Sequence, residues 1–559
     1  MALSLSPAAR HQLKNALTAF SAGTLCFIRR WYDLENLQAR GVDYFRNGPP
    51  DATLVLATIL SGLLLAAMFW IAWFWAERHS TPGPRKFVQS VFLLVLIFPV
   101  ESVRRYWNSV TAKFDLGSNG AMWLVEAILV CGFVALLLGS KRILNPARRA
   151  ALLLTLLFPP VILNIVAGHF IGEDAKAYAP LPSLPMLPAR STRAPRIIWL
   201  IFDELDQRVA FERRPAGLDL PELDRLRTES VVANRTTQTS LATVIAMPSL
   251  LSSRLFVDAQ AVNASDLDLI PHGSKQRVGW RGEPNVFVRA RALGVNAALV
   301  GWHHPYCRVM GDEVVRCLAV ASTHSTAALA QEAHAGERGL AKTMFSLFRR
   351  QFANLTDMLH SREEPSSQLL RDREIQEDQQ RQYFQIRDEA YREARDPRIG
   401  LLFVHFPTPH PFPIYNRRER NFELRGGLDY FDNLALVDRT VGELRRMLEQ
   451  AGLWDQTALL ITADHGLRPQ NWIGRLGWTR ELDRLTEDQL PLYVPFILKL
   501  AGPAQPAVVH QGFSNIVSAD LVLAILDGDV STAPEAAAWL GRRAAQLGSA
   551  AAKMITSAR

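Results

Sequence analysis

Cysteine is scarce: four residues in 559 cannot supply a disulfide framework in place of a hydrophobic core. Cys26 and Cys131 lie inside apolar stretches and read as inert. Cys307 and Cys317, ten residues apart in a polar segment, predict a local disulfide if that segment lies in an oxidising compartment. Also missing is any block of basic residues interleaved with aromatics, so the formal charge of +8 and pI near 9.4 do not point to nucleic acid. No small-residue cleavage site stands out, which argues against a removed signal peptide. Apolar runs, by contrast, crowd the chain before about residue 170 with arginines at their flanks, the pattern of a membrane domain. A chain of this length is expected to hold at least two domains.

The clearest apolar run is 52–75, 24 residues without a charge, long enough to cross a hydrocarbon core about 30 Å thick. Runs 121–138, carrying Glu126, and 150–167 read as further spans. Arg78, Arg85 and Lys86 follow the first run, and Lys141, Arg142, Arg148 and Arg149 precede the last, which assigns both loops to the cytoplasm. The chain must go out and back between them, so the short stretch 87–100 is expected to cross as well. A weaker stretch, 16–28, would make a fifth span with a cytoplasmic N-terminus. The expectation is a multi-pass protein of a bacterial inner membrane: a transmembrane bundle over 1–170, a stiff connector over 171–195, and a periplasmic catalytic domain over 196–559. The connector is marked by Pro180, Pro182, Pro185, Pro188 and Pro195.

Beyond the connector, short apolar runs at 196–202, 296–302, 400–406, 457–462 and 493–500 read as buried strands, and 430–451 reads as a helix. Their alternation with helical stretches predicts an α/β domain with a mostly parallel sheet. Ligands of such sheets bind at the carboxyl ends of the strands, so the polar residues there matter most. Asp203 and Glu204 follow the first strand, His405 and His410 close the third, and Asp464 and His465 follow the fourth. Each pair alone is commonly a solvated or capping pair; together they form the donor set of a zinc-like or manganese-like ion. His405 and His410 are no helical pair, because Pro407, Pro409 and Pro411 break any helix there. For a nucleophile, 236–254 supplies hydroxyls before and within a predicted helix, whose dipole favours an alkoxide or a phosphoryl group. Composition alone does not choose among Thr236, Thr237, Thr239, Ser240 and Thr243. His303 and His304 read as fold-holding side chains more than substrate contacts, and the charged stretch 366–396 as a solvent-facing helix.

At the residues Ala463-Asp464-His465-Gly466, and over roughly 196–530, the chain resembles the membrane-anchored phosphoethanolamine and phosphoglycerol transferases of the alkaline phosphatase and sulfatase superfamily. The resemblance implies an alkaline-phosphatase/sulfatase-like fold and singles out Thr243, five residues before Pro248, as the nucleophile. It implies a divalent metal, zinc before manganese or magnesium, held by Glu204, Thr243, Asp464 and His465, with Asp203 as a further acid. It gives His410 or His405 a role toward substrate or a second metal. The implied partners are a phospholipid donor and a periplasmic glycan or lipid acceptor. Two departures stand out: no histidine lies within 467–483, and the sulfatase signature of Cys or Ser before Pro and Arg is absent, which argues against sulfate ester cleavage. Hydrolysis, with water as acceptor, and a non-catalytic lipid sensor or envelope regulator are the alternatives.

Overall fold

A computed structural model describes residues 6–100, 102, 120–139, 142–170, 175–188, 195–321, 327–359, 366–424, 427–472, 477–487 and 493–557. The chain divides into two compact units whose boundaries are not colinear with the sequence. One contains 1–39, 50–172 and 326–370; the other contains 40–49, 173–325 and 371–559. The single break expected near 170 is therefore corrected at two places. Residues 40–49 belong to the α/β unit, and 326–370 belong to the helical one.

In the helical unit, Thr53–Arg78, Pro82–Val100 and Leu144–Gly168 are long and apolar enough to cross a membrane. They contain the expected runs 52–75, 87–100 and 150–167 almost entirely. The run 121–138 falls on a helix, Gly120–Leu137, and 16–28 falls largely on the helix Pro7–Cys26. Thr53–Arg78 has charged residues only at its last two positions, its interior Thr58 and Ser61 are buried, and its exposed leucines and tryptophans run along most of its length.

Among the described residues the α/β unit has fourteen strands: β1 (Ile197–Phe202), β2 (Val231–Thr237), β3 (Phe256–Asn263), β4 (Asp266–Pro271), β5 (Val278–Gly279), β6 (Ala297–His303), β7 (Arg316–Ala321), β8 (Leu401–Phe406), β9 (Tyr415–Asn416), β10 (Asn421–Phe422), β11 (Ala458–Ala463), β12 (Tyr493–Lys499), β13 (Ala507–Val509) and β14 (Phe513–Ser514). Nine of them form one sheet in the order β13-β2-β12-β11-β1-β8-β6-β7, with β14 also paired to β2. Every pairing in it is parallel except those of β12. A parallel sheet is covered on both faces, so its central strands are apolar at every position. All six residues of β1 are buried: Ile197, Trp199 and Ile201 face one core, and Ile198, Leu200 and Phe202 face the other.

Covering helices follow the same logic. Tyr430–Gln450 starts at a reciprocal cap, in which the Asp429 carboxylate accepts from the Asp432 backbone N–H and the Asp432 carboxylate from that of Asp429. Its Leu434, Val437, Val441 and Leu444 pack into the core beneath β1 and β11. The charged stretch 366–396 forms the helix Ser366–Ala394, and its solvent-facing reading is corrected: Gln376, Gln379, Gln382, Tyr383 and Glu393 are all buried. These polar side chains can be buried because each meets a partner; Gln382 Oε1, for example, accepts from Trp302 Nε1 at 2.6 Å.

Of the connector, 171–174 and 189–194 lie outside the described residues. The part between is docked rather than free, with Leu181 N–H donating to Cys307 O and Leu184 N–H to Val314 O, each at 2.8 Å. Cys307 and Cys317 are joined, with Cα atoms 5.7 Å apart, tying the short helix Tyr306–Met310 to β7. Cys26 and Cys131 are free thiols.

Candidate active site

Strand register assembles the site. In β1, Phe202 pairs with Ala463 of β11 on one side and Phe406 of β8 on the other. Neighbouring strands lie about 4.8 Å apart, so the residues just beyond these pairs are forced into one pocket at the carboxyl edge. Asp203 and Glu204 leave β1 there, and Asp464 and His465 leave β11. All four are fully buried. Glu204 sits in the left-handed region at φ 65°, a conformation that costs a non-glycine residue about 1 kcal/mol. It is held by its own N–H donating to Asp464 Oδ1 (3.3 Å) and by the Tyr430 hydroxyl donating to its carbonyl (2.7 Å).

Thr243 is the first residue of the helix Thr243–Ser252, whose N-terminal N–H groups and dipole face the same pocket. Its hydroxyl lies 2.9 Å from Asp464 Oδ2, 3.2 Å from His465 Nε2 and 3.5 Å from Asp203 Oδ2. His465 Nδ1 is 2.9 Å from the carbonyl of Gly466 and donates to it, so Nε2 is the basic nitrogen turned toward Thr243. Gly466 is needed where it stands, since a Cβ there would meet Asp206 Oδ2 at 3.0 Å.

The other hydroxyls sort away from this cluster. Thr237 reaches the Phe513 carbonyl at 3.4 Å, and Ser240 accepts from the N–H of Ala242. Thr236 and Thr239 make no hydrogen bond among the described residues.

The expected metal donors divide into two overlapping groups. Asp203, Asp464 and His465 have donor atoms within 4.8 Å of one another, and so do Asp203, Glu204 and His410. Asp203, rather than Glu204, thus joins Asp464 and His465. The reason is visible in the Glu204 carboxylate, which accepts from Arg468 Nε and Trp472 Nε1, both at 2.8 Å. Among the described residues His405 does not join either group; its Nδ1 lies 3.0 Å from the Tyr306 hydroxyl. Tyr306 comes this close because Gly301 of β6 has no side chain, and a Cβ there would lie 2.4 Å from the ring.

His410 is placed by helix Ser366–Ala394 and its neighbour. Gln379 Nε2 and Asn433 Nδ2 both donate to its carbonyl, at 3.0 and 3.1 Å, and its own Nδ1 lies 2.7 Å from Pro411 O. His304, read as a fold-holding residue, is one. Its Nε2 donates to the Thr243 carbonyl at 3.1 Å, and its Nδ1 accepts from the Tyr44 hydroxyl at 2.8 Å. Sequence reasoning passed over Arg468, Trp472, Tyr44 and Tyr306. Only Arg468 left a signal, as the first basic residue after the Asp-His-Gly block.

Burial, with Asp464 as the next contributor, pushes the Asp203 carboxyl well above the usual range, and burial pushes that of Asp464 up to about 7. Burial, with Arg468 behind it, pushes the His465 imidazole down, favouring its neutral form. Two carboxylates, a neutral imidazole and a hydroxyl in one dry pocket suit a divalent cation of the zinc type, and Asp203 Oδ1 makes no hydrogen bond among the described residues. Such a cation would favour the ionised form of both acids against the burial that raises them.

A family model described as type I phosphodiesterase / nucleotide pyrophosphatase matches residues 207–490, just over half of the chain. No curated protein sequence matches. Among solved structures, the lipoteichoic acid synthase LtaP from Listeria monocytogenes is 14% identical over 61% of this chain and 76% of its own, with a TM-score of 0.36. The phosphonate monoester hydrolase of Agrobacterium radiobacter is 13% identical over 59% and 73%, with a TM-score of 0.35. PsFucS1 sulfatase from Pseudoalteromonas sp. is 16% identical over 60% and 68%, with a TM-score of 0.37.

Proposed function

The chain belongs to the type I phosphodiesterase / nucleotide pyrophosphatase family, within the alkaline phosphatase and sulfatase superfamily, and from that premise we propose that it moves a phosphoethanolamine or phosphoglycerol group from a phospholipid to a glycan or lipid acceptor, through a phosphothreonine at Thr243. The observation that carries this reading is the Thr243 hydroxyl, set at a helix N-terminus against Asp464 and His465. Donation of its proton to Asp464 Oδ2, 2.9 Å away, prepares the oxygen for attack on phosphorus. As the Thr243 Oγ to phosphorus bond forms, the bond from phosphorus to the glycerol oxygen breaks and diacylglycerol leaves with a proton. We assign delivery of that proton to His410, in the group with Asp203 and Glu204. An acceptor hydroxyl then attacks phosphorus and gives its proton to His410, while the bond from phosphorus to Thr243 Oγ breaks and Asp464 returns its proton to that oxygen. Arg468, pinned by Glu204, turns a cation toward the pocket and balances the phosphoryl charge.

Asp203, Asp464, His465 and Thr243 would hold a divalent metal, with Glu204 and His410 at its border. When bound, the metal supplies Lewis acidity that lowers the hydroxyl pKa and neutralises phosphoryl oxygens. Three membrane-length helices suit a lipid donor. The basic residues at 78, 85 and 86 follow the membrane-length helix Thr53–Arg78, and that charge bias assigns the loop after it to the cytoplasm. This agrees with an inner-membrane protein whose α/β unit is periplasmic.

The test is reconstitution of the full chain with zinc in vesicles of phosphatidylethanolamine and phosphatidylglycerol. Release of diacylglycerol with loss of one lipid names the donor, and release of the free head group into water alone would identify a hydrolase. No turnover of either lipid, with wild type matching Thr243→Ala, would remove the transferase and favour a sensor.

The Tyr44–His304–Thr243 chain of hydrogen bonds gives a milder expectation. Tyr44→Phe leaves a buried imidazole nitrogen without its donor, which costs about 1–2 kcal/mol of positioning. Turnover should fall about fivefold to thirtyfold in kcat with KM unchanged. Unaltered kinetics would show that His304 holds Thr243 without help from Tyr44.

A further inference from the structure

Within the helical unit, the segment inserted between β7 and β8 supplies two helices, Ala327–Arg338 and Leu340–Leu359, that pack against the membrane-length helix Thr53–Arg78. Leu340–Leu359 uses one face for this. Thr343, Leu347 and Arg350, at positions i, i+4 and i+7, are all buried, and the first two share a small cleft with Leu54. Phe348, at the edge of that face, meets Phe27 edge to face at 5.6 Å. The opposite face is apolar and open. Phe345 and Phe352 are 72% and 68% exposed, and Ala341, Phe345, Phe348 and Phe352 repeat at the helical period to form one ridge. Lys342 and Arg349, both exposed, run along one edge of it.

This pattern selects how the helix meets lipid. At 20 residues it is long enough to cross a bilayer, but Arg349 and Arg350 stand at its middle, where charge in hydrocarbon is costly. A helix with phenylalanines on one face and basic side chains along the edge lies in the plane of the interface instead, its lysine and arginine heads reaching up to the phosphates. Its location agrees. Leu54 is the second residue of Thr53–Arg78, so the inserted helix is fixed at the end of a membrane-length helix, where head groups stand. Leu56 and Leu60, in the first two turns of Thr53–Arg78, are exposed as well, so the ridge stands beside the start of a lipid-facing surface.

We propose that Leu340–Leu359 lies in the surface of a phospholipid bilayer, with Phe345 and Phe352 in the acyl boundary and Lys342 and Arg349 among the phosphates. The proposal rests on the reading of the helical unit as a membrane unit and needs no turnover at Thr243.

Nitroxide labels on the full chain, in vesicles of phosphatidylethanolamine and phosphatidylglycerol, measure the depth. Cys131→Ser removes the exposed free thiol, and Cys26, which is buried, stays. Phe345→Cys, Phe352→Cys, Met68→Cys and Val257→Cys then carry the label one at a time, each at an exposed position where the fold tolerates it. Met68 lies near the middle of Thr53–Arg78 and Val257 on β3 of the α/β unit. Collision with oxygen, which concentrates in acyl chains, is compared with collision with a water-soluble nickel chelate. Labels at 345 and 352 should lie about 5–10 Å below the phosphates, with the label at 68 deeper and that at 257 in water. Labels at 345 and 352 that match 257 while 68 is deep would overturn the proposal. So would labels as deep as 68, which would mean insertion, or labels shielded from both reagents, which would mean that protein, such as a second copy of this chain, covers the ridge. A label at 68 in water would remove the membrane reading itself, and the proposal with it.

Discussion

Thr243→Ala should abolish phosphoester turnover, by at least about a thousandfold in kcat, because no other hydroxyl in the described structure stands in its place. Thr236, Thr237, Thr239 and Ser240 lie on or just after β2, and none is hydrogen-bonded to Asp464 or His465. Thr243→Ser keeps the attacking oxygen and loses the methyl that restricts its rotamer, so turnover should persist at a reduced level, within about a hundredfold of wild type. Transfer and hydrolysis should fall together, since both begin with the same covalent step. Intact-mass measurement on the full chain quenched during lipid turnover should show a phospho-adduct that maps to Thr243. An adduct on any other residue, or activity surviving in Thr243→Ala, would remove Thr243 from the mechanism. The fold should be unaffected, because the alanine removes a hydroxyl from the pocket without disturbing the helix start.

The strand ends were legible because parallel strands are apolar on both faces and stop abruptly. Ile197–Phe202 and Ala458–Ala463 stand out as uninterrupted apolar runs, and the acids behind them fall where such sheets bind ligands. Which acid does what was not legible. Asp203 and Glu204 are neighbours in sequence, and only the left-handed turn at Glu204, with Arg468 and Trp472 arriving from beyond β11, sends one carboxylate to Thr243 and the other to a guanidinium. Thr243 was chosen from five hydroxyls through its spacing to Pro248, a family likeness rather than a physical signal in the residues. The helix Ser366–Ala394 was misread for a definite reason: high charge density ordinarily marks a solvated face, yet here glutamines from that helix bind the carbonyls of the His410 loop. Residues 40–49 look like a plain loop between helices, and nothing local shows that Tyr44 reaches His304, 260 positions away.

The carboxylates at the centre predict a dependence on pH and metal with opposite signs in the two states of the protein. Without a cation, burial raises Asp464 from its ordinary 3.8 to about 7, and burial with the neighbouring Asp464 raises Asp203 well above its ordinary range. Across that window these two carboxyls bind protons more tightly in the folded chain than in the unfolded one, so their contribution to the stability of the metal-free protein should fall as pH rises from about 4 to about 7, against the opposite slope of the buried His465. Zinc competes with those protons and needs the ionised carboxylates, so its stabilising effect should be larger at about pH 8 than at about pH 5. At a thousandfold excess over its dissociation constant, zinc would contribute about 4 kcal/mol, several degrees of melting temperature. Asp464→Asn keeps the shape of the side chain and removes the charge. The metal-free variant should therefore melt no lower than metal-free wild type at about pH 8, while the zinc-dependent rise and turnover both disappear. His465→Ala should also lose the zinc-dependent rise, but it leaves both acids buried and so keeps their fall in stability with pH. Calorimetry of the full chain in detergent, with and without zinc at the two pH values, separates these outcomes. Full zinc occupancy in both variants would move the metal away from Asp464 and His465 altogether.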